Sequence, residues 1–192
     1  MKQTKPRQSQ LRIIGGEWRS RRFSFVEQPG LRPTPDRVRE TLFNWLSSDI
    51  EGARCLDLFA GSGGLTLEAL SRGARQVLSC DLSREAVETL RGHLKILDCD
   101  RAEILQQDAL ALLANSPSSP FNLVFIDPPF HQDLLIPACA LLEDHNWLTD
   151  DALIYTESET APEHLPYPAN WSLHRQKKAG QVWYSLWQRR IN

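Results

Sequence analysis

The sequence has no long apolar run. Its longest mainly apolar segment, Leu134 to Leu142, has nine residues and contains Pro137, whereas a membrane-spanning helix needs about 20. The basic start, MKQTKPRQSQ, does not lead into the apolar stretch that a secretory signal requires. We therefore expect a cytoplasmic protein without a membrane partner.

Cysteine is also scarce, with four residues in a chain of 192. They stand 25, 19 and 40 positions apart, and no close Cys or His pair is present that could form half of a zinc site. We expect reduced thiols in the core and no bound metal.

The composition is otherwise that of one globular domain with a small extension, since 41% of the residues are hydrophobic and 24% are charged. The net charge of −2 hides an asymmetry along the chain. Residues 1–39 hold ten Lys/Arg and three Asp/Glu, and the remainder holds 12 and 21. Because aromatic residues alternate with these arginines, the basic end favours a polyanionic partner such as nucleic acid.

Three regions are predicted: a disordered basic tail over 1–10, a hairpin and helix extension over 11–52, and the main domain over 53–192. In the extension, two apolar stretches separated by WRSR predict a β-hairpin. Gln28 to Pro33 is interpreted as a linker. Thr34 and Pro35 then have the residue types of an N-cap and a first helical residue, and the apolar spacing predicts a helix ending near Ile50.

From residue 53, short apolar runs alternate with helical patterns. The runs are ARCLDLF, RQVLSCDL, AEILQQ, FNLVFI and ALIYTE. This repetition predicts a Rossmann-like α/β fold, with a parallel sheet and helices on both faces. The segments WSLHRQKK and QVWYSLWQRR flank a plausible tight turn at Ala179-Gly180, which predicts an antiparallel hairpin at the sheet edge.

The first predicted strand runs into a glycine-rich turn, DLFAGSGG, where the main chain can approach a ligand closely. Asp81 ends the second strand 20 positions after Gly61, at the distance where a carboxylate can meet a ribose diol. Thr66 stands where a dinucleotide fingerprint needs Gly or Ala, and no Walker lysine follows the turn. Among adenosine-containing ligands without a pyrophosphate, S-adenosyl-L-methionine is the leading candidate.

Two aspartates of this region have alternative interpretations. Asp57 could meet the amino group of the methionine moiety or simply hold the following turn. Asp108 could accept from the adenine amino group, cap the helix from Ala109, or do both. The predicted cofactor-binding residues are Asp57, Phe59, Gly61, Gly63, Asp81, Leu82, Asp108 and Ala109.

The fourth strand runs into the tetrapeptide Asp127-Pro128-Pro129-Phe130. Two successive prolines remove two backbone donors and fix the main chain, which predicts a rigid hydrogen-bond acceptor site at Asp127 and Pro128. Phe130 offers a flat apolar face on which a heterocyclic base can stack. The alternative is an ordinary strand-to-turn Pro-Pro.

Together these motifs resemble the class I methyltransferases that modify exocyclic amino groups. The segments RIIGGEWRSRRF, LRPTPDRVRETLFNWL, LLEDHNWL and WSLHRQKKAGQV extend the resemblance to the RsmD family of 16S ribosomal RNA guanine-N2 methyltransferases. That resemblance implies a seven-stranded sheet, S-adenosyl-L-methionine as methyl donor, and N2-methylation of one loop guanine in the small ribosomal subunit or its assembly intermediate. It also implies that Asp127, Pro128 and Phe130 are the catalytic residues.

Two other functions stay open at this point: an adenine-N6 methyltransferase acting on DNA or RNA, and a non-enzymatic RNA-binding assembly factor. The predicted RNA-binding residues are Arg19, Arg21, Arg22, Arg32, Arg37 and Arg39. Alternatively, the hairpin shields the sheet, and Arg37 or Arg39 pairs with Asp36 or Glu40.

Overall fold

The computed structural model describes residues 8–26 and 34–191. The chain begins with an antiparallel hairpin of β1 (Gln8–Arg12) and β2 (Arg22–Val26), as predicted. Residues 8–10, expected in the tail, belong to β1 because their pairing with β2 satisfies their backbone groups. The rest of the predicted tail, the 28–33 linker and Arg32 lie outside the described residues.

Helix α1 (Asp36–Trp45) buries Val38, Leu42 and Phe43, which confirms the predicted apolar face. The predicted cap is wrong. Pro35 precedes the first helical residue, and no side chain caps the helix. The helix also ends at Trp45, before the predicted Ile50, and turn residues connect the two.

The main sheet has seven strands in the order β5-β4-β3-β6-β7-β9-β8. Their bounds are β3 (Arg54–Asp57), β4 (Gln76–Asp81), β5 (Ala102–Gln106), β6 (Phe121–Ile126), β7 (Leu148–Ser158), β8 (Trp171–Ala179) and β9 (Val182–Arg189). Strands β3 to β7 pair in parallel, whereas β9 is antiparallel to both β7 and β8. The mostly parallel sheet with an antiparallel C-terminal hairpin is therefore confirmed.

The remaining helices connect these strands and cover both faces of the sheet. They are α2 (Gly64–Ser71), α3 (Arg84–Ile96), α4 (Ala109–Leu113) and α5 (Leu135–Asp144), with a short 3-10 helix at Pro162–His164 that the sequence pattern did not indicate. One apolar core joins the hairpin and the first three helices to the sheet, and a second core joins α4 and α5 to its other face.

A buried carboxylate attaches the hairpin to α2. Glu68, fully buried, accepts hydrogen bonds from the backbone N–H groups of Ile14 and Gly15, each at 2.8 Å. Arg39, 1% exposed, lies 3.6 Å from the same carboxylate and donates to Asp36 at 2.5 Å. The prediction that Arg39 contacts RNA is wrong, because its guanidinium is buried in this network. The alternative pairing of Arg39 with Asp36 is confirmed.

All four cysteines are free thiols. Cys55, Cys80 and Cys139 are buried in the core, as predicted, whereas Cys99 is half-buried at its edge. Within residues 8–26 and 34–191, no helix is both long and apolar enough to cross a membrane. The same residues include no cluster of three or more His, Cys, Asp or Glu side chains that could hold a metal ion.

Candidate active site

A cavity of about 1030 Å³ opens at the carboxyl ends of the parallel strands. Strands β4 and β5 lie on one side of β3 in the sheet, and β6 and β7 lie on its other side. The cavity is therefore at the point where the strand order reverses, which is where ligands bind in sheets of this type. The part at the ends of β3, β4 and β5, here called the first lobe, is lined by Phe59–Gly61, Asp81–Leu82 and Gln107–Ala109. The part at the ends of β6 and β7, here called the second lobe, is lined by Thr34–Pro35, Asp127–Phe130, Glu157 and Gly180–Val182, together with Tyr184.

The glycine-rich turn uses its two predicted glycines differently. Gly61 has a positive φ of 51°, lines the cavity and donates its N–H to Asp81 Oδ2 at 2.8 Å. Gly63 has a φ of 79° and is absent from the cavity lining. A Cβ there would stand 2.5 Å from the Leu90 side chain. Gly63 thus serves the turn and the packing of α3, which does not support direct cofactor contact.

Asp81 ends β4, as predicted, and lines the cavity. Its second oxygen, Oδ1, accepts from the Ser83 N–H at 2.8 Å. The neighbouring Leu82 is 67% exposed at the cavity wall. This lobe therefore combines a carboxylate with open apolar surface, the two features that a ribose and an adenine ring require.

Asp57 lies behind the cavity wall and is 1% exposed. Its Oδ2 accepts from the Thr66 hydroxyl at 2.7 Å. Burial raises the pKa of Asp57 to about 6, the Thr66 hydrogen bond lowers it, and the charge of Asp81 raises it. The structure thus favours the interpretation that Asp57 holds the following turn. Thr66, the residue that breaks the dinucleotide fingerprint, is its donor.

Asp108 and Ala109 line the same lobe, at the start of α4. Asp108 Oδ1 accepts from the Ala111 N–H at 2.8 Å, so the predicted helix cap is confirmed. This cap is compatible with a second contact from the cavity side, because a carboxylate has two acceptor oxygens.

Two carboxyl groups meet in the other lobe. Asp127 follows β6 and Glu157 lies near the end of β7, and these parallel strands pair Ile126 with Thr156 directly before them. The Thr34 hydroxyl donates to Asp127 Oδ2 at 3.1 Å. Glu157 was not among the predicted site residues, although it ends the apolar run ALIYTE and Asp127 directly follows the run FNLVFI.

The surroundings of this pair disfavour negative charge. Burial raises the pKa of Asp127 well above its usual range, and the charge of Glu157 raises it further, while the hydrogen bond from Thr34 lowers it. Burial also raises the pKa of Glu157 to about 7, while the hydrogen bond from Tyr155 lowers it. N–H donors of a ligand would stabilise the ionised form of these carboxyl groups, because a hydrogen bond to a buried carboxylate offsets its loss of hydration.

The loop after β6 forms the rim of this lobe. Phe130 is 38% exposed and lines the cavity, where its ring is available for stacking. His131 and Asp133 both have positive φ, at 61° and 51°. His131 Nδ1 lies 3.0 Å from a carboxylate oxygen of Glu159, which connects the loop to the chain after β7.

The hairpin arginines lie away from the cavity. Arg19, Arg21 and Arg22 are exposed, but the turn that carries them packs on Ser71 at the last residue of α2. Helix α2 begins at the cavity and has eight residues, a length of about 12 Å. The structure therefore does not place them on the approach to the cavity. Their binding to RNA stays a prediction.

Other basic side chains are closer to the cavity. Arg37 is exposed in the first turn of α1, beside Pro35 of the cavity wall. Lys177 and Lys178 are exposed on β8, directly before the turn at 179–182 that lines the cavity. Lys178 Nζ lies 4.8 Å from the centre of the Trp183 ring. The run RQKK could have drawn attention to this surface from the sequence.

Comparison with known proteins agrees with this geometry. The family model described as "Conserved hypothetical protein 95" matches residues 11–188. Ribosomal RNA small subunit methyltransferase D of Escherichia coli (strain K12) is 52% identical over 180 residues, 94% of this chain and 90% of that protein. The protein of the same name from Haemophilus influenzae is 44% identical over 189 residues, 97% of each chain.

The solved structure of yhhF from Escherichia coli has a TM-score of 0.87 and 50% sequence identity, and the match covers 96% of this chain and 100% of that one. The predicted class I methyltransferase fold is thus confirmed, together with the resemblance on which it depended. The chain belongs to the RsmD family.

Proposed function

We propose that this protein transfers the methyl group of S-adenosyl-L-methionine to the 2-amino group of a guanine in the 16S RNA of the small ribosomal subunit or its assembly intermediate. The main support is that Asp127 and Pro128 line the same cavity as Gly61 and Asp81. The names of the relatives from Escherichia coli and Haemophilus influenzae support the small-subunit RNA as substrate. This substrate implies a cytoplasmic protein.

The residues of the first lobe fit the methyl donor. Asp81 would accept from the ribose hydroxyls, Leu82 would cover the adenine ring, and Asp108 would accept from its amino group. Gly61, with its positive φ, lets the main chain pass close to the ligand. When bound, S-adenosyl-L-methionine supplies a methyl group activated by its sulfonium.

The second lobe would hold the acceptor amine. The lone pair of an exocyclic amino nitrogen is delocalised into the ring, which makes it a poor nucleophile. If the Asp127 carboxylate and the Pro128 carbonyl accept the two amino N–H bonds, they aim this lone pair at the methyl group and offset the positive charge that develops on nitrogen. The raised pKa of Asp127 also suits it to take the released proton.

The target base has to leave its stack to reach these acceptors, because the reacting atoms must come within roughly 3 Å of each other. Phe130 at the rim would hold the extruded base. A loop guanine costs less to extrude than a paired one. Phosphate contacts from Arg37, Lys177 and Lys178 would orient the RNA at the cavity mouth.

Small subunits from cells that lack this protein provide the test. They are incubated with the protein and a donor carrying a labelled methyl group. One sample of the RNA is digested to nucleosides to identify the labelled base, and a second is cut into oligonucleotides to map its position. We expect labelled N2-methylguanosine at one nucleotide. Labelled N6-methyladenosine would instead indicate an adenine methyltransferase. No transfer, with no donor binding by calorimetry, would indicate a non-enzymatic assembly factor.

A further inference from the structure

We propose that Glu157 determines base specificity, by accepting the N1–H of the target guanine while Asp127 and Pro128 accept its amino group. This inference rests on the proposed function and assigns a role to a carboxyl group that the mechanism above does not use. It predicts discrimination between bases that carry the same amino group but differ at N1.

The strand register places Glu157 where such a contact is possible. Ile126 and Thr156 are paired neighbours on β6 and β7, so the residues that follow them lie side by side. Adjacent strands are about 4.8 Å apart, and both carboxyl groups line the cavity. On guanine, N1–H is the ring position next to the 2-amino group. A base whose amino group donates to Asp127 can therefore direct its N1–H toward Glu157 on the neighbouring strand.

A hydroxyl group holds each of the two carboxyl groups in place. Tyr155, fully buried, donates to Glu157 Oε1 at 2.7 Å. Thr34 does the same for Asp127 Oδ2. Each bond uses one oxygen and leaves the other oxygen of the carboxyl group for a ligand. Glu157 is 6% exposed, so little water can replace a missing ligand donor there.

The chemistry of the two purines makes this contact selective. Guanine presents three N–H donors on this edge, two from the amino group and one from N1. Adenine and 2-aminopurine carry a lone pair at N1, which would face the Glu157 carboxylate. A site built to pair with a substrate N–H rejects an analogue that lacks it, because the buried acceptor is left without a donor.

The experiment compares guanine with 2-aminopurine, which keeps the 2-amino group and lacks N1–H. Small subunits are reassembled with 16S RNA that carries either base at the mapped acceptor nucleotide, and they are assayed at pH 8, above the Glu157 pKa of about 7. Wild-type protein should transfer methyl to guanine at least tenfold faster than to 2-aminopurine. Glu157→Gln should lower the guanine rate and reduce the guanine to 2-aminopurine ratio at least tenfold, since the amide can donate to the N1 lone pair.

Two matched variants separate specificity from general damage. Glu159→Gln removes a second carboxyl group of the cavity wall, and Tyr155→Phe removes the hydroxyl that holds Glu157. Glu159→Gln should keep the preference for guanine, whatever its rate. Tyr155→Phe should weaken the preference without reversing it, because Glu157 is still present but no longer held by the hydroxyl. The fluorescence of 2-aminopurine, which rises when the base leaves its stack, measures base entry without methyl transfer and should show tighter binding to Glu157→Gln than to wild type.

The results distinguish failure of the role assigned to Glu157 from failure of the proposed function. Transfer by the wild type to guanine and 2-aminopurine at equal rates overturns the role of Glu157, whether or not the variant folds. An unchanged ratio in a folded Glu157→Gln protein overturns it as well. If the wild type methylates neither base, the proposed function itself fails.

Discussion

The hydroxyl of Thr34 donates a hydrogen bond to Asp127 Oδ2 at 3.1 Å, across 93 positions of sequence. Thr34 is the last residue before the Pro35 that precedes α1, so its side chain joins the N-terminal extension to the acceptor motif. It therefore fixes the orientation of a carboxyl group that the proposed reaction requires.

Thr34→Ala should lower kcat by roughly three- to tenfold, because a typical hydrogen bond contributes about 0.5–1.5 kcal/mol. Loss of this bond also removes an interaction that lowers the pKa of Asp127. The acidic limb of the rate profile should then move to higher pH. Thr34→Ser keeps the hydroxyl and should restore both properties. A serine variant as defective as the alanine variant would contradict a role for the hydroxyl.

Asp127→Ala should abolish methyl transfer and leave donor affinity within a few-fold of wild type, because the carboxylate acts on the target amine. Single-turnover assays and calorimetry measure the two properties. Asp127→Asn keeps one acceptor oxygen and should retain more activity than the alanine variant. The assigned role is wrong if Asp127→Ala keeps more than about a tenth of the wild-type rate, a barrier change below about 1.4 kcal/mol.

Asp81→Ala should weaken donor binding by roughly 1.5–3 kcal/mol, through loss of a charge-assisted bond to the ribose. It should also lower the melting temperature, because Gly61 and Ser83 lose their acceptor. Ser83→Ala is a control for helix stability, because Ser83 caps α3 through the Ala86 N–H and does not line the cavity. Loss of this cap should cost about 1 kcal/mol. Unchanged donor affinity in Asp81→Ala would leave Asp81 with the structural role alone.

Stability should depend on pH through Glu157. Its pKa is raised from 4.5 to about 7 in the folded protein, so the folded state binds the proton more tightly than the unfolded state. The stabilisation is complete below pH 4.5 and is lost as the pH rises to 7.

Glu157→Gln cannot ionise and should escape this loss. The melting temperature of Glu157→Gln minus that of wild type should be larger at pH 8 than at pH 4.5. The corresponding difference in the free energy of unfolding should change by up to roughly 3 kcal/mol between these pH values. Thermal unfolding across this range measures the effect, with the exposed Glu163→Gln as control. A pH-independent difference would show that the wild-type carboxyl group is not perturbed by burial.

The two basic surfaces should differ in their effect on RNA binding. Changing Lys177 and Lys178 to Ala should weaken subunit binding, with donor affinity unchanged. The salt dependence of binding should fall by about 0.7–0.9 in log–log slope for each RNA phosphate that the variant no longer binds. The same change at Arg19, Arg21 and Arg22 tests the hairpin. An unchanged slope in the arginine variant would assign the hairpin to packing, and an unchanged slope in the lysine variant would exclude β8 as an RNA contact.

The strands, most of the helices and the residues at the strand ends could be predicted from the sequence. Apolar runs that alternate with helical periodicity specify a parallel α/β sheet, and each run shows where its strand stops. Asp81 and Asp127 could therefore be placed at one edge of the sheet before any strand order was known, because the carboxyl ends of parallel strands share that edge.

The contacts between distant side chains could not be predicted in this way, because they depend on how the elements pack. Glu157 lies beside Asp127 because β6 and β7 are neighbours in register, and Thr34 reaches Asp127 because α1 packs over the same face. Arg39, by its residue type a candidate for RNA binding, is buried because Glu68 on α2 and Asp36 surround it with negative charge. Local periodicity reports the burial of a face, whereas these contacts depend on the order in which distant elements pack.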